Sequence, residues 1–587
     1  MRRLYTYYIY MLLVALGLPG CELIHDDDMD CQLYTPEGVP YAYVSIALST
    51  AMTPSTRANP TGGEGGDGRE PGQSEENEVN DITLFFYEAT DDADDNGVNS
   101  AADTEVIRQY FGRDSINYTT GQTYATTRTV PVEQLLVSHN YHVLAVVNGG
   151  EDFGENITTL GALQQETVTK LYNVNGTTYT NFLMASADDE TFPLCVTSSN
   201  SETNPATTQI DVERVTARVD YRAEDLYEVG TEGSEPIGTA KITGAMLVNT
   251  LKDDAESWLL KRVADRWGST KVEYLGLETT DATTNAASNY VIDAKAEKVE
   301  ADFTPATYFP NIGYDDLAWE TLFVEGSLVD DLEENYLCVG YPKENVNQTG
   351  QRDRTTGIVF RAVYTPDEMT EGDTFFEWDG VVYPTLEMMM EAKFESSWTI
   401  INDGWHDVKT WEDLRANIIL KLADDPVGYR AYLRQVSNGK MDAISAEDMR
   451  TLRWAYYLEQ TCSYKLENDK AQVDVNDAAA GTTRRILHEM SGLSTYKKGI
   501  CYYTYWIKHA NDQKPENDLV SGRDNTGGVM EYAIVRNNVY KLDIKSVSTP
   551  GNDIPGERTV NINVLVEDWQ LAPRESVDLE PVKEGGA

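Results

Sequence analysis

The chain has 587 residues, of which 97 are acidic and 47 basic, so its formal net charge is −50. A field of that sign repels phosphate backbones and anionic lipid head groups, which argues against nucleic acid as a partner. The 41% hydrophobic content is ample for several folded cores. After the N-terminal region, the sequence has no apolar run long enough to span a membrane.

The N-terminus has the features of an export signal. Arg2 and Arg3 precede an apolar run over residues 9–18 that is too short to cross a bilayer, and Pro19, Gly20 and Cys21 follow it. The Leu-Pro-Gly-Cys sequence resembles the lipobox of bacterial lipoproteins. We therefore predict a signal peptide over residues 1–21, acylation of Cys21 with palmitate as a lipid, and an outer-membrane location for the lipidated precursor. The alternative is an ordinary signal peptide with an incidental cysteine.

Residues 39–50 alternate strictly between the two faces of a predicted β-strand. One face carries Ala42, Val44, Ile46 and Leu48, so this face is predicted to lie in a core. The following segment, 51–78, is rich in turn residues and contains Arg57 and Arg69, after which a trypsin-like protease could cut. A plainer interpretation is a first strand followed by a loose loop.

Two β domains are predicted downstream. Many short strands with frequent turn residues favour a β-sandwich over residues 79–209, after a flexible acidic and Gly-rich linker at 58–78. A second β domain over 210–587 is predicted to begin with one strand at 210–221. Its period changes over 384–492, where a helical insertion is predicted from a capping Thr410 and the apolar stripe that follows it. Four strands are predicted near the end, at 501–507, 528–535, 539–544 and 559–566.

Catalytic motifs are absent from the sequence. It contains no G-x-S-x-G elbow, H-E-x-x-H motif or P-loop, so we do not expect an enzyme. His139 and His142 are expected to be surface or rim residues rather than ligands. The six cysteines show no C-x-x-C pairing and no metal-site spacing. Acylation of Cys21 would leave an odd number, so no disulfide framework is expected, and a Cys462–Cys501 bridge is the conceivable exception.

One acidic stretch has the spacing of a calcium loop. Asp92, Asp94, Asn96 and Asp103 occupy positions one, three, five and twelve of an EF-hand-like pattern, with Gly97 at position six. Asp103 replaces the usual glutamate, and acidic hairpin loops are common in such a chain. No cofactor is otherwise expected, and calcium is the single candidate.

Several stretches resemble a known family. They are Y-Y-T-Y-W-I-K-H-A at 502–510, G-V-M-E-Y-A-I-V-R-N-N-V-Y-K-L at 528–542 and V-N-I-N-V-L-V-E-D-W at 560–569. Two further stretches, R-V-T-A-R-V-D-Y at 214–221 and Y-P-K-E-N at 341–345, also fit. Together with the order of lipobox, strand and arginine at the N-terminus, they resemble the Mfa1-type fimbrillins, the shaft subunits of Bacteroidales type V pili. The long block at 384–492 departs from that family.

The resemblance implies a mainly β fold with two transthyretin-like β-sandwich domains in tandem, the second interrupted by the helical insertion. It also implies a maturation protease with arginine specificity that cuts between Arg57 and Ala58. This cut removes the propeptide 22–57 with the strand that carries Ala42, Val44, Ile46 and Leu48. A C-terminal segment of the next subunit, within about 559–587, then fills the groove by donor-strand exchange.

The candidate donor residues are Val560, Ile562, Val564 and Val566, which recur at every second position. Expected partners are further copies of the chain in a polymer, anchor and tip subunits of the fimbria, and a receptor that the sequence does not identify. The expected function is a shaft subunit of an extracellular fimbria for adhesion and biofilm formation. A fimbrial tip or anchor subunit and a surface glycan-binding lipoprotein are the alternatives.

Overall fold

The computed structural model describes part of the 587-residue chain, and the fold is given for that part alone. The described residues are 32–50, 69–89, 100–118, 124–176, 178–187, 193–230, 233–260, 321–328, 335–345, 355–378, 380–384, 388, 398–400, 405–408, 466–467, 470–471, 493–509, 532–553, 555 and 561–570.

Short β-strands dominate these residues. The N-terminal half contains β1 Leu33–Tyr34, β2 Pro40–Thr50, β3 Arg69–Pro71, β4 Asp81–Glu88, β5 Ile107–Gly112, β6 Ile116–Asn117, β7 Tyr124–Thr127, β8 Val130–Glu133, β9 Asn140–Val147, β10 Thr167–Val168, β11 Asn173–Asn175, β12 Thr178–Thr180, β13 Met184–Ser186, β14 Leu194–Cys195 and β15 Ala206–Arg214. A short helix, α1 Leu160–Gln164, and a 3-10 turn, Arg113–Ser115, accompany them.

The remaining strands are β16 Arg218–Arg222, β17 Tyr227–Val229, β18 Gly238–Val248, β19 Ser257–Trp258, β20 Ser327–Leu328, β21 Leu337–Gly340, β22 Gly357–Pro366, β23 Phe375–Trp378, β24 Val381–Tyr383, β25 Trp398–Ile400, β26 Trp405–Val408, β27 Leu466–Glu467, β28 Lys470–Ala471, β29 Leu493–Tyr496, β30 Ile500–Trp506, β31 Asn538–Ser546 and β32 Asn561–Gln570. A 3-10 turn, Lys497–Gly499, lies between β29 and β30. The fold is mainly β, as the sequence predicts.

The first sheet has eleven strands, and its main path runs β5-β4-β9-β13-β15-β2-β7-β6. Alternate residues of β2, β4, β9 and β15 pack in one core. The opposite faces of β4 and β9 are covered by α1 and by residues near Leu259, which form a second apolar cluster. Central strands are therefore buried on both faces, which explains their nearly continuous apolar sequence.

The second sheet has six strands in the order β20-β21-β16-β31-β32-β3, and the third has four in the order β17-β18-β22-β30. Side chains at every second position of β22, from Ile358 to Tyr364, share a core with Val219 of β16 and Leu542 of β31. These two sheets therefore pack face to face as a β-sandwich.

The strand predicted at 210–221 is two strands in the structure. β15 ends at Arg214 in the first sheet, and β16 begins at Arg218 in the second sheet, so the chain changes sheet over the buried residues Val215–Ala217. The boundary drawn at 209/210 thus falls inside β15. The alternating pattern continues through the crossing because each half of the segment packs in a different core, and this continuity hides the break.

Two other predictions differ from the structure or fall outside it. Residues 532–535, from the strand predicted at 528–535, make only the isolated bridge Ile534↔Asn345 and form no strand. The predicted helices of the block 384–492 lie outside the described residues, which contribute there the hairpins β25–β26 and β27–β28. Across the described part of the chain, no helix combines the length and apolarity needed to cross a membrane.

Candidate functional site

The first long strand, β2, lies in the interior of the first sheet. It runs parallel to β15 from the pair Val44↔Ala206 to the pair Thr50↔Val212. Along its other edge it runs antiparallel to β8 and then to β7. Both edges of β2 are therefore paired, and removing it would expose backbone donors and acceptors on β15, β7 and β8.

The side chains of β2 alternate as the sequence predicts. Val44 and Ile46 are 0% exposed, Leu48 is 1% and Ala42 is 3%, and all four belong to the main core of the first sheet. The intervening residues of β2 are only half-buried. The prediction of a core strand at 39–50 is confirmed; the prediction that this strand is removed during maturation is not tested by the structure.

Gln32 anchors the start of the segment that contains β2. Its side-chain amide donates to the carbonyl oxygens of Tyr41, at 3.0 Å, and Leu135, at 3.2 Å. Its side-chain oxygen accepts a hydrogen bond from the Val137 amide at 2.6 Å. Gln32, which precedes β1, is thus hydrogen-bonded beside the end of the β2–β8 ladder. Sequence reasoning missed this contact, because a lone glutamine has no pattern.

The C-terminal strand, β32, lies in the second sheet. It pairs antiparallel with β31 from Asn538↔Asp568 to Ser546↔Asn561, and the short β3 runs parallel to its other edge over Asp568–Gln570. Ile562, Val564 and Val566 are in this strand, whereas Val560 lies outside the described residues. Among the described strands, none pairs with 561–567 on the β3 side, so most of β32 has one paired edge.

A buried polar cluster connects the chain after β3 to both sheets. We define the joint cluster as Glu76, Asn77, Arg214, Arg218, Asp220 and Tyr341. Glu76 is 1% exposed and Arg218 is 0% exposed. The Arg218 guanidinium donates to a carboxylate oxygen of Asp220 at 2.9 Å. The Arg214 guanidinium donates to the Glu76 carbonyl oxygen at 3.1 Å. Burial lowers the pKa of Arg214 to about 10, and burial together with the Glu76 charge raises that of Tyr341.

The joint cluster lies partly in a segment that the sequence indicated as linker. Residues 58–68 of the predicted linker 58–78 lie outside the described residues, whereas Glu76 and Asn77 are buried. Their polarity is typical of a solvated loop, and their burial is offset by hydrogen bonds to the arginines of β15 and β16 and from the Tyr341 hydroxyl.

The motif at 341–345 forms contacts between separate parts of the chain. The Lys343 ammonium donates to the carbonyl oxygens of Thr169 at 2.8 Å, Asp253 at 2.6 Å and Ala255 at 2.7 Å. Glu344 accepts from Arg536 at 2.6 Å, with both side chains 1% exposed. The Y-P-K-E-N sequence therefore connects separate parts of the chain.

The other predicted site residues have different outcomes. Cys21, Arg57 and Ala58 lie outside the described residues, while the backbone of Arg69 is in β3. Asp92, Asp94 and Asn96 also lie outside them, so calcium binding there with Asp103 stays a prediction. Across the described part of the chain, no group of three or more acidic, histidine or cysteine side chains could hold a metal ion.

The cysteine and histidine predictions need correction. A Cys462–Cys501 bridge is wrong, because Cys501 forms no disulfide and is buried in the sandwich core. Cys195, by contrast, is disulfide-bonded. His139 lies at the rim and contacts Glu88 at 2.6 Å, but His142 is 0% exposed and packs beside Tyr87. The strand β9 is covered on both faces, so His142 has no outer surface to occupy.

Comparison with known families identifies the C-terminal region. Residues 494–575, which include β30, β31 and β32, match the family model described as major fimbrial subunit protein type IV, fimbrillin, C-terminal. No curated protein matches the chain.

Three solved structures align with most of the chain at low identity. The first is described as a candidate cell adhesion protein from Parabacteroides distasonis (13% identity, TM-score 0.36, 91% of this chain and 99% of that one). The others are the tip fimbrial protein Mfa3 (10%, 0.31, 90% and 100%) and a fimbrilin, fimA (12%, 0.32, 91% and 99%), both from Porphyromonas gingivalis. Such TM-scores do not bear on function.

The family match is thus confined to the C-terminal part of the chain, where residues 494–575 are similar to the C-terminal region of the fimbrillins.

Proposed function

We propose that the chain is the shaft subunit of a surface fimbria, exported as a lipoprotein acylated at Cys21. A protease cuts between Arg57 and Ala58 and frees β2, and a C-terminal strand of the next subunit takes its place. The single observation that carries this proposal is the burial of β2 between two strand ladders, beside a segment that offers arginines for cleavage.

The groove left by β2 would demand a replacement strand. Each of Val44, Ile46 and Leu48 contributes about 1.5–3 kcal/mol by burial, and β15, β7 and β8 would also lose their pairing partners. A domain in that state exposes apolar pockets at every second position and unpaired backbone groups. These are the requirements that β-strand addition satisfies.

The C-terminal strand is a suitable donor because exchange would add a second ladder to it. In its own subunit, β32 pairs with β31 along one edge and with the short β3 at one end of the other. In the groove, a donor would pair along both edges, as β2 does. When β32 leaves β31, it loses one ladder of backbone hydrogen bonds. Insertion into the groove gives the strand one ladder along each edge, which is a net gain of one ladder.

The N-terminus of the fimbrial subunit tests the maturation step. We expect mass spectrometry of protein sheared from cells to find Ala58 first, and Arg57→Ala to leave an acylated, cell-bound precursor with few fibres. Arg69→Ala is the matched control and should leave the fibres normal. Fibres that begin at Glu70 would show that Arg69 is the cut site, and a lipid-retaining N-terminus in the fibre would favour an anchor over a shaft subunit.

A further inference from the structure

The strands β7 and β8 meet β2 across a β-bulge. Val130 of β8 lies opposite Val44, and Thr126 of β7 lies opposite Ala47. Between these two pairs, β2 has two residues whereas the partner chain has three, so one residue of the partner is extra. Such a bulge fixes the register of the neighbouring strand, because the strand fits on both sides of it in only one alignment.

Thr127 supplies the hydrogen-bonding groups at this bulge. It is 1% exposed, and its hydroxyl oxygen accepts a hydrogen bond from the Ile46 amide at 2.9 Å. Its carbonyl oxygen accepts a hydrogen bond from the Ser45 hydroxyl at 3.1 Å. The bulge therefore requires two groups of the strand beside it: a backbone amide at position 46 and a side-chain donor at position 45.

A strand that replaces β2 has to satisfy the same groups. Parallel and antiparallel ladders differ in their hydrogen-bond pattern, so a donor strand reuses the partners on β15, β7 and β8 when it runs in the direction of β2. It must place apolar side chains at positions 42, 44, 46 and 48, which are buried in the core. It must also place a side-chain donor at position 45.

The sequence 559–567 meets these conditions in one alignment. With Val564 in the place of Ile46, its apolar residues at every second position occupy all four buried positions, and Asn563 takes the place of Ser45. The side-chain amide of asparagine is a hydrogen-bond donor, as the serine hydroxyl is. The two sets of four apolar side chains differ by a single carbon atom in total, and cores tolerate exchanges that conserve volume.

The neighbouring alignments place a charge in the core. Shifts by two residues keep the alternation, and one of them puts Arg558 in the pocket of Ala42. The opposite shift puts Asp568 in the pocket of Leu48, and it also brings a leucine, which has no donor, to the carbonyl oxygen of Thr127. A buried unpaired charge is costly. Shifts by one residue turn the other face of the segment towards the core.

We infer that Thr127 sets the register of the donated strand, with the Asn563 side chain of one subunit bound to the Thr127 carbonyl oxygen of the next. The Val564 amide of the donor then binds the Thr127 hydroxyl. This inference rests on the proposed function, because it requires that β32 replaces β2. The bulge thus recognises a second copy of the chain by a side-chain donor followed directly by a buried apolar residue.

Strand grafts in the full-length chain test the groove without a polymer. In the predicted graft, the sequence 559–567 replaces residues 41–49, and two shifted grafts carry 557–565 or 561–569 at the same place. Each shifted graft buries a charge, so we expect it to melt at least about 5 °C below the predicted graft. A predicted graft that is no more stable than the shifted ones would overturn the inference.

Cysteine crosslinking tests the register in sheared fibres. Thr126 lies opposite Ala47, and the predicted alignment puts Leu565 in the place of Ala47. Chains with Thr126→Cys and one donor cysteine at 561, 563, 565 or 567 are compared by peptide mapping. Position 565 should give about tenfold more joined peptide than any other. Strongest joining at 563 or 567 would show a shifted register, and at 561 a reversed strand; either overturns the inference.

Variants of Thr127 test its role in selecting the strand. In Thr127→Val, the crosslink at 565 should form about fivefold more slowly, because one buried hydrogen bond is lost. Thr127→Ser keeps the hydroxyl and should restore the wild-type rate. Equal rates in the valine and serine variants would contradict a role for the hydroxyl.

The fibres also separate this inference from the proposed function. Fibres whose subunits retain residues 22–57 would refute both the strand exchange and the register. Fibres that lack these residues but crosslink at another position would refute the register alone.

Discussion

The Arg218 guanidinium donates to a carboxylate oxygen of Glu76 at 2.8 Å, and the two side chains are 0% and 1% exposed. The other carboxylate oxygen accepts a hydrogen bond from the Tyr341 hydroxyl at 2.6 Å. Glu76 follows β3 and lies within the predicted linker, Arg218 is in β16, and Tyr341 follows β21. One acidic side chain therefore connects the start of the first domain to the second sheet.

We predict that Glu76→Ala destabilises the protein strongly. Removing one member of a buried ion pair leaves an uncompensated charge, which costs about 3–5 kcal/mol. Asp220 still neutralises part of the Arg218 charge, so we expect a loss of about 3 kcal/mol in the free energy of unfolding, measured by urea denaturation. Glu75→Ala, next to it and exposed, is the matched control. Equal stability of the two variants would contradict a structural role for the pair.

The two faces of β2 should respond differently to a charge. Ile46 is fully buried in the core of the first sheet, and Ala47 is half-buried on the opposite face. Because a buried unpaired carboxylate is costly, Ile46→Asp should lower the free energy of unfolding by about 3 kcal/mol or more. Ala47→Asp should lower it far less, and thermal denaturation compares the two. The same loss in both variants would show that the groove does not select side chains by face.

Stability should fall at alkaline pH because of buried tyrosines. Burial raises the pKa values of Tyr221, Tyr227 and Tyr364 from 10.0 to about 12. The folded state therefore keeps these protons between about pH 10 and 12 while the unfolded state loses them. Their contribution is complete below about pH 10 and disappears as the pH rises to about 12. The lowered pKa of Arg214 has the opposite effect on stability over this pH range. It is a single group, whereas three tyrosines lower the stability.

The pH dependence of the unfolding free energy, followed by urea denaturation, measures this effect. Tyr227→Phe should make the fall between about pH 10 and 12 shallower, because one raised pKa is removed. It should also reduce stability at neutral pH, since the Tyr227 hydroxyl donates to the Ile544 carbonyl oxygen at 2.9 Å. Tyr34→Phe, at a side chain that is 60% exposed, is the control and should leave the slope unchanged.

Deletion of residues 574–587 separates the two candidate donor segments. If β32 is donated, subunits that are cut and folded should still polymerise without this tail, as seen by electron microscopy and size-exclusion chromatography. The rival is that β32 stays permanently in the second sheet and that the tail after Trp569 inserts. Shortened subunits that fold normally, judged by circular dichroism, but remain monomeric would support the rival.

Local sequence pattern was sufficient for the elements whose burial alternates within one sheet. The period of two at 39–50 reports side chains that enter a core at every second position, and β2 shows that burial in the structure. The strands β30 and β31 were predicted for the same reason, within about one to two residues at each end. Such patterns reflect whether each residue is buried or exposed, so they can be recognised without knowing which residues it contacts.

Tertiary structure alone decided which segments meet. Nothing near Glu76 in sequence indicates that Arg218, 142 positions away, will neutralise it. The change of sheet between Arg214 and Arg218 was hidden because two different cores continue one alternating pattern. The disulfide bond of Cys195 likewise has no sequence pattern that indicates it. Pairing of buried charges and of cysteines depends on contacts between distant segments, and hydrophobic periodicity carries no record of them.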